Sequence, residues 1–561
     1  MWFSMDKVVF VADYFFDEII GGAEKYNNVL ISYLENHFAV EKIKSANLSL
    51  ERLRNNSNSF FIIANFFQLK EDVKEYISQN IKYVIIEHDH KYLINNNPVH
   101  YDNYLGNEEN LQNINFYKKS LAVFCQSTLH TEILYKNTLL KNLVNLKGNI
   151  WTDEELNYLK SHIGVEKRDE YAILQTNNKN KGMSSSIHYC NENNIEYTLI
   201  PNCNYEDFIE KLSKVKALVF LPTWVESFNR VSVEARILGC RIITNNRIGC
   251  ASDNFLDTSG HDLLLKVEKQ TKKILKTFHE LIKGTQPNFY EHKLPRVSVI
   301  TTFADGEEYL RGFLNSCLEQ TIFDEIDFYI YDAASTGNEQ EIIEGYTQKY
   351  NNIHYYRDKN KLGSSLAFNK MIESSPNELV SMISLDDRPA PHYAEILRKY
   401  LTFSETDLVY GDCYQTHRPN ETFNKNSSNK IKYLHSLNDF SHQNMIKSLA
   451  GPMPMFKKKM IKKNGGFNVE YKHANDWELW LRCVDGGSNF FKVHTPVGLY
   501  YFNPNGVTTA KKHEKKKREE ERKIFYKYRH IIGERNFQLY KTYFDQIPNV
   551  ASPTQAEQIR N

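Results

Sequence analysis

The chain has 561 residues, 41% of them hydrophobic and 25% charged, with a formal net charge of +1. That length exceeds what one hydrophobic core supports and that composition excludes a disordered chain, so two to four packed units are expected. The charge balance gives no reason to expect nucleic acid as a partner, and neither an apolar run of membrane-spanning length nor a secretory pattern is present. The eight scattered cysteines form no C-x-x-C pair, so reduced thiols and a cytoplasmic location are expected.

In chain order, the first β-rich runs are Lys7 to Ala12, Phe60 to Ala64, Lys82 to Ile86 and Leu121 to Cys125, each followed by a polar or amphipathic stretch. That alternation predicts strands joined by helices, hence an α/β fold with a mostly parallel sheet. A second set, Tyr171 to Gln175, Glu196 to Ile200, Ala217 to Leu221 and Cys240 to Thr244, predicts a second such sheet. The expected units are residues 1–165 and 166–285. The pattern breaks around Gly284 to Pro295, and a new strand begins with Arg296 to Thr301, which opens a third unit over 295–509. The remaining 510–561 form a helical tail whose charge run, Lys511 to Lys523, precedes Ile524, Phe525, Tyr528 and Ile532 on one helical face. The tail is expected to pack back on the body, a peripheral membrane contact being the second reading.

Several motifs carry chemistry. Pro295 to Phe303 and Phe328 to Ser335 are apolar strands ending in hydroxyl residues and in Asp332, the arrangement that forms a ligand crevice at a sheet edge. Further on stand Asn360 to Gly363, Met382 to Asp387, and Gly465 to Phe467 followed by His473 to Arg482. This ordered set resembles family 2 glycosyltransferases of the GT-A fold. The resemblance implies that Thr302 and Asp332 line a uridine pocket and that Gly363 opens a donor-binding helix. It further implies that Asp386, with Asp387 beside it, holds a divalent metal, manganese or magnesium, against the donor diphosphate, and that Asp476 is the base of an inverting transfer. There are departures: Ser384 and Asn475 replace acids of the family pattern, and Tyr500 to Asn505 lacks the His that many members use as a metal ligand. Asp476 also suits a plain helix cap.

In the amino-terminal half, Gly21 and Gly22 open a helix after the first strand, and Glu226 and Glu234 stand eight positions apart. With His88 at a strand end and Lys181-Gly182, they resemble the retaining family 4 glycosyltransferases of the GT-B fold, built from a pair of Rossmann-like units. The resemblance implies donor binding through Gly22, His88, Lys181 and Glu234, and catalysis involving Glu226. The family's Arg before the Lys is replaced near Thr176. The run Glu87 to His90 reads as a strand-end loop and not as a metal site.

Together these resemblances imply a bifunctional transferase that moves sugar from a nucleotide-diphosphate donor, a UDP-sugar, to a glycan or lipid-linked acceptor. Two alternatives stand beside it. Either the GT-A module alone is active and the first half is an acceptor-binding or scaffold domain, or neither half turns over and the chain binds carbohydrate.

Overall fold

The β-rich runs become strands because their alternating or continuous apolar residues can be buried between helices, and a computed structural model describes residues 6–19, 21–428 and 438–546. The chain divides into two compact units: one reaches from the amino terminus to His292, and the other begins at Lys293 and also takes in Asn107–Glu109.

The first unit holds two parallel sheets. One comprises β1 (Lys7–Ala12), β2 (Ala39–Lys44), β3 (Phe60–Ile63), β4 (Tyr83–Ile86), β5 (Val123–Cys125) and β6 (Leu143–Asn145), in the order β2-β1-β3-β4-β5-β6. The other comprises β7 (Arg168–Leu174), β8 (Tyr197–Ile200), β9 (Val215–Phe220) and β10 (Arg241–Thr244), in the order β10-β9-β7-β8. The helix Gly260–Ile282 serves both cores. Its first half buries Leu263, Leu264 and Val267 under the smaller sheet, and its second half buries Ile274, Phe278 and Leu281 under the larger. The edge strands β2 and β6 escape the sequence reading. In β2 only Ile43 is buried, and β6 is three residues long, so neither carries an apolar run.

The second unit is built on an eight-stranded mixed sheet. Its strands are β11 (Val297–Phe303), β12 (Ile326–Ala333), β13 (Ile353–Asp358), β14 (Leu379–Met382), β15 (Arg388–Pro389), β16 (Leu408–Thr416), β17 (Met455–Lys457) and β18 (Phe490–Tyr501), in the order β13-β12-β11-β14-β17-β16-β18-β15. The first four in that order run parallel, and β17 is antiparallel to both of its neighbours. The parallel half leaves its carboxyl edge open for loops. The basic run forms the helix Glu514–Lys527, and Ile524, Phe525, Tyr528 and Ile532 are buried with Trp477 and Trp480 in this unit's core. At about 1.5–3 kcal/mol for each large apolar side chain removed from water, the tail is part of the domain and no appendage. The stretch 547–561 of the expected tail lies outside the described residues.

Candidate active sites

In the second unit β11 and β12 end together, Phe303 pairing with Asp332 in register. Thr302 is half-buried one residue earlier. Asp332, expected in the pocket, is already engaged within the unit. It is fully buried, its Oδ1 accepts the Ser335 N–H at 2.7 Å, and its Oδ2 accepts the Tyr355 hydroxyl at 2.8 Å, with Arg357 Nε at 3.6 Å. A nucleobase reaches this carboxylate only by displacing Tyr355. Gly363 precedes the helix Ser364–Ser374 in extended conformation, and a Cβ built on it meets nothing within 4 Å. The helix start there is therefore open to a ligand, and free backbone N–H groups favour an anion at such a place.

The strand β14 leads into a tight turn in which the Asp387 N–H donates to Ser384 O at 3.1 Å. The two acids of the turn face opposite ways. Asp387 is buried and accepts the Tyr501 N–H at 2.9 Å; burial, with Asp386 beside it, pushes its carboxyl well above the ordinary carboxylate range. It fastens the turn to β18. Asp386 is half-buried, and its Oδ2 accepts from the Asn503 amide at 3.0 Å. Asn503 thus occupies the segment where a His ligand is missing. Among the described residues no three His, Cys, Asp or Glu side chains gather as a metal site. The donor set that remains, one carboxylate beside a neutral amide, fits a hard cation only if phosphate oxygens and water complete six ligands.

Asp476 is the second residue of the helix Asn475–Asp485, whose cap is Ala474 without a side-chain bond. The helix-cap reading of Asp476 therefore fails. Its Oδ2 instead accepts the Ser448 hydroxyl at 2.8 Å. The neighbouring Asn475 amide donates to Ser365 Oγ at 2.8 Å, which brings the start of this helix to the start of Ser364–Ser374. The loop after β18 spans the two acids. It touches Asp386 through Asn503, and its Val507 carbonyl accepts from His473 Nδ1 at 3.0 Å, three residues before Asp476. Below, the buried Glu478 accepts from Arg482, Lys527 and Tyr528, so the tail clamps the helix. Burial alone would raise the Glu478 carboxyl, but these partners bring it below its ordinary value.

In the first unit the five expected residues come together from distant parts of the chain. Gly22, His88, Lys181, Glu226 and Glu234 all line one cleft of about 1150 Å³. Lys181 Nζ donates to both Glu226 carboxylate oxygens at 2.9 Å. It is placed by a short turn closed by Gly182, where φ is +69° and a Cβ would stand 1.8 Å from the Leu221 carbonyl, so only glycine fits. His88 is nearly buried between Gln126, which donates to its Nδ1 at 2.9 Å, and Asn27, which accepts from its Nε2 at 3.2 Å. Burial, with Lys91 nearby, lowers His88 to about 3, so the ring is neutral. Glu234 accepts at one oxygen from Trp151 Nε1 at 3.0 Å, the Tyr205 hydroxyl at 3.3 Å and Arg230 at 3.4 Å. Glu155 shares the same Arg230 at 2.9 Å. The loop reading of Glu87 holds: burial would raise it, but Lys91 first and then His130 and Tyr117 hold it down to about 2 as an internal anchor.

Sequence reasoning missed Tyr355, Asn503, Trp151, Tyr205 and Arg230. Asn503 alone had a usable signal, since its segment is where a His was sought and an amide can take its place in the geometry.

Residues 298–465 match the family described as glycosyl transferase family 2. An uncharacterized glycosyltransferase of Methanocaldococcus jannaschii is 24% identical over 198 residues, 35% of this chain and 67% of its own length. An uncharacterized glycosyltransferase of Rickettsia typhi is 23% identical over 210 residues, and the chain spans 61% of that protein. Among solved structures, that of S. aureus TarS 1-349 in complex with UDP-GlcNAc aligns at 15% identity over 47% of this chain and 78% of that one, with a TM-score of 0.38. The second unit therefore carries a glycosyltransferase domain, and the chain is a transferase enzyme. The family match ends before Asp476.

Proposed function

We propose that the second unit transfers sugar from a nucleotide-diphosphate donor, a UDP-sugar, to a glycan or lipid-linked hydroxyl with inversion, and that the first unit is a retaining-type transferase of the GT-B kind. The observation that carries the first part is the pair of acids at the two ends of the loop after β18, Asp386 through Asn503 and Asp476 through His473. Asp476 takes the proton of the acceptor hydroxyl as that oxygen attacks the anomeric carbon opposite the departing nucleoside diphosphate. Ser448 holds one carboxylate oxygen and leaves the other for the proton. Asp386 would hold the divalent cation together with diphosphate oxygens; when bound, the cation neutralises charge on the leaving group.

In the first unit the supporting observation is the convergence of Gly22, His88, Lys181, Glu226 and Glu234 on one cleft. Lys181 is the cation available to a diphosphate there, and such basic groups replace metal when they are already in place. The second reading, an acceptor-binding or scaffold unit, is favoured by the closure of Lys181 onto Glu226. Sugar-nucleotide hydrolysis separates the two. The bifunctional reading expects a chelator-resistant component lost in Glu226→Ala and a manganese-dependent component lost in Asp386→Asn. A single component that Asp386→Asn removes and Glu226→Ala leaves untouched assigns all chemistry to the second unit.

A further inference from the structure

The charge run of the tail is not evenly solvated. Three of its four acids are engaged: Glu514 accepts from Arg518 Nε at 3.1 Å, Glu521 pairs with Arg518 at 3.4 Å, and Glu520 accepts the backbone N–H groups of Lys472, His473 and Ala474 at 3.0, 2.7 and 3.0 Å. Lys511, Lys512, Lys515 and Lys516 are left exposed, with Glu519 the acid among them. The segment Lys511–Lys523, with eight Lys or Arg against four Glu, therefore presents a basic face.

That face is stitched to the segment Lys472–Ala474, which leads into the helix that carries Asp476. Besides the three bonds to Glu520, Lys517 Nζ donates to Thr508 O at 3.1 Å, and His473 donates to Val507 O. The His473 and His513 rings lie 5.0 Å apart. Burial first, and then the positive surroundings of His473, Lys512, Lys472 and Lys516, hold His513 below its ordinary value. Two aliphatic side chains close in sequence to these contacts are exposed: Val507 is 49% exposed, and Val469, three residues before Lys472, is 58% exposed.

We propose that Lys472, Lys511, Lys512, Lys515 and Lys516, with Val469 and Val507, form a docking surface for an anionic lipid bilayer, set beside Asp476 so that a lipid-linked acceptor is presented to it. Lysines near an anionic leaflet each contribute about 1 kcal/mol, roughly fivefold in partition. Cations alone would equally suit a soluble polyanion. The exposed valines favour a bilayer, because interfacial binding adds apolar burial to charge attraction. Among the described residues no helix is long and apolar enough to cross a membrane. The presentation of acceptor rests on the reading of Asp476 given above; the bilayer contact does not.

The full chain should be floated with vesicles of phosphatidylcholine alone and of phosphatidylcholine with about one third phosphatidylglycerol. Wild type is expected to float with the anionic vesicles at least tenfold better than with the zwitterionic ones. The combined variant Lys512→Glu, Lys515→Glu, Lys516→Glu should lose that preference, and Val469→Asp should reduce flotation while leaving the lysines in place. Manganese-dependent sugar-nucleotide hydrolysis, which needs no membrane, should be unchanged in both, so a failure of the catalytic reading is seen separately. Equal flotation with both vesicle types, undiminished flotation of the charge-reversed protein, or capture by inorganic polyphosphate without flotation would overturn the proposal.

Discussion

The two units treat their candidate acids differently. In the first, Glu226 is closed onto Lys181, and Glu234 and Glu155 share Arg230. In the second, Asp386 and Asp476 accept hydrogen bonds from an amide and a hydroxyl. A site that contains its own cation neutralises a diphosphate without metal, but first has to release that cation. The Lys181 side chain is 38% exposed, and a pair so open is worth about 0–1 kcal/mol, which a diphosphate can outcompete. The Arg230 cluster is buried, and breaking it would cost several kcal/mol, so it serves as framework. On the reading proposed above, Asp386 takes its cation from solution.

The sharpest break of this comparison is at Asp386. Because it supplies one carboxylate, manganese should bind at least tenfold more tightly with UDP present than without, and Asp386→Asn should reduce the UDP-supported binding about a hundredfold. Calorimetry giving equal manganese affinity with and without UDP would contradict a shell completed by phosphate. A smaller effect is expected in the first unit. If the remaining oxygen of Glu234 takes a donor hydroxyl, its loss costs roughly 1.5–3 kcal/mol, so Glu234→Ala should weaken nucleotide binding to a 1–290 fragment about tenfold or more, read by fluorescence titration. Unchanged affinity would make the first unit a scaffold. The smallest effect concerns the clamp on the Asp476 helix. The Glu478 carboxyl is depressed in the fold, so its stabilisation is present above its ordinary value of 4.5 and lost as pH falls below it. Glu478→Gln should lower the melting temperature by a few degrees at pH 7 and by less at pH 4; a penalty that grows toward acid would exclude the clamp.

Much of the fold was legible because its central strands are apolar runs. The runs at Lys7, Phe60, Lys82 and Tyr171 all stand within sheets, whereas β2 and β6 lack the pattern and were invisible. The sites were legible as far as backbone landmarks carry them. Gly22, His88 and Lys181 sit at or near the end of a strand or the start of a helix, Glu226 lies in the loop before the helix Arg230–Ile237 and Glu234 within that helix, and all five line one cleft. What the sequence could not convey is which way a side chain turns. Asp386 and Asp387 are adjacent, yet one accepts from the Asn503 amide and the other, buried, from the Tyr501 N–H. Asp332 carries the expected identity, but Tyr355, from the next strand over, already occupies it. The tail acids look solvated in a charge run, and only the packed helix reveals that Glu520 binds three N–H groups of the segment leading into the Asp476 helix.

The account depends most on Asp476, which lies beyond the span of the family match. Asp476→Asn keeps an oxygen for the Ser448 hydroxyl and leaves the Ala474 cap untouched, so the melting temperature and donor affinity should hardly move. General-base catalysis contributes about 10² to 10⁴-fold. The decisive measurement is sugar transfer to acceptor by full-length Asp476→Asn in a Glu226→Ala background, where the first unit cannot mask the loss. A fall of about a hundredfold or more at unchanged donor affinity is the predicted result; retention of more than about a third of the Glu226→Ala rate would contradict the assignment of Asp476 as the base.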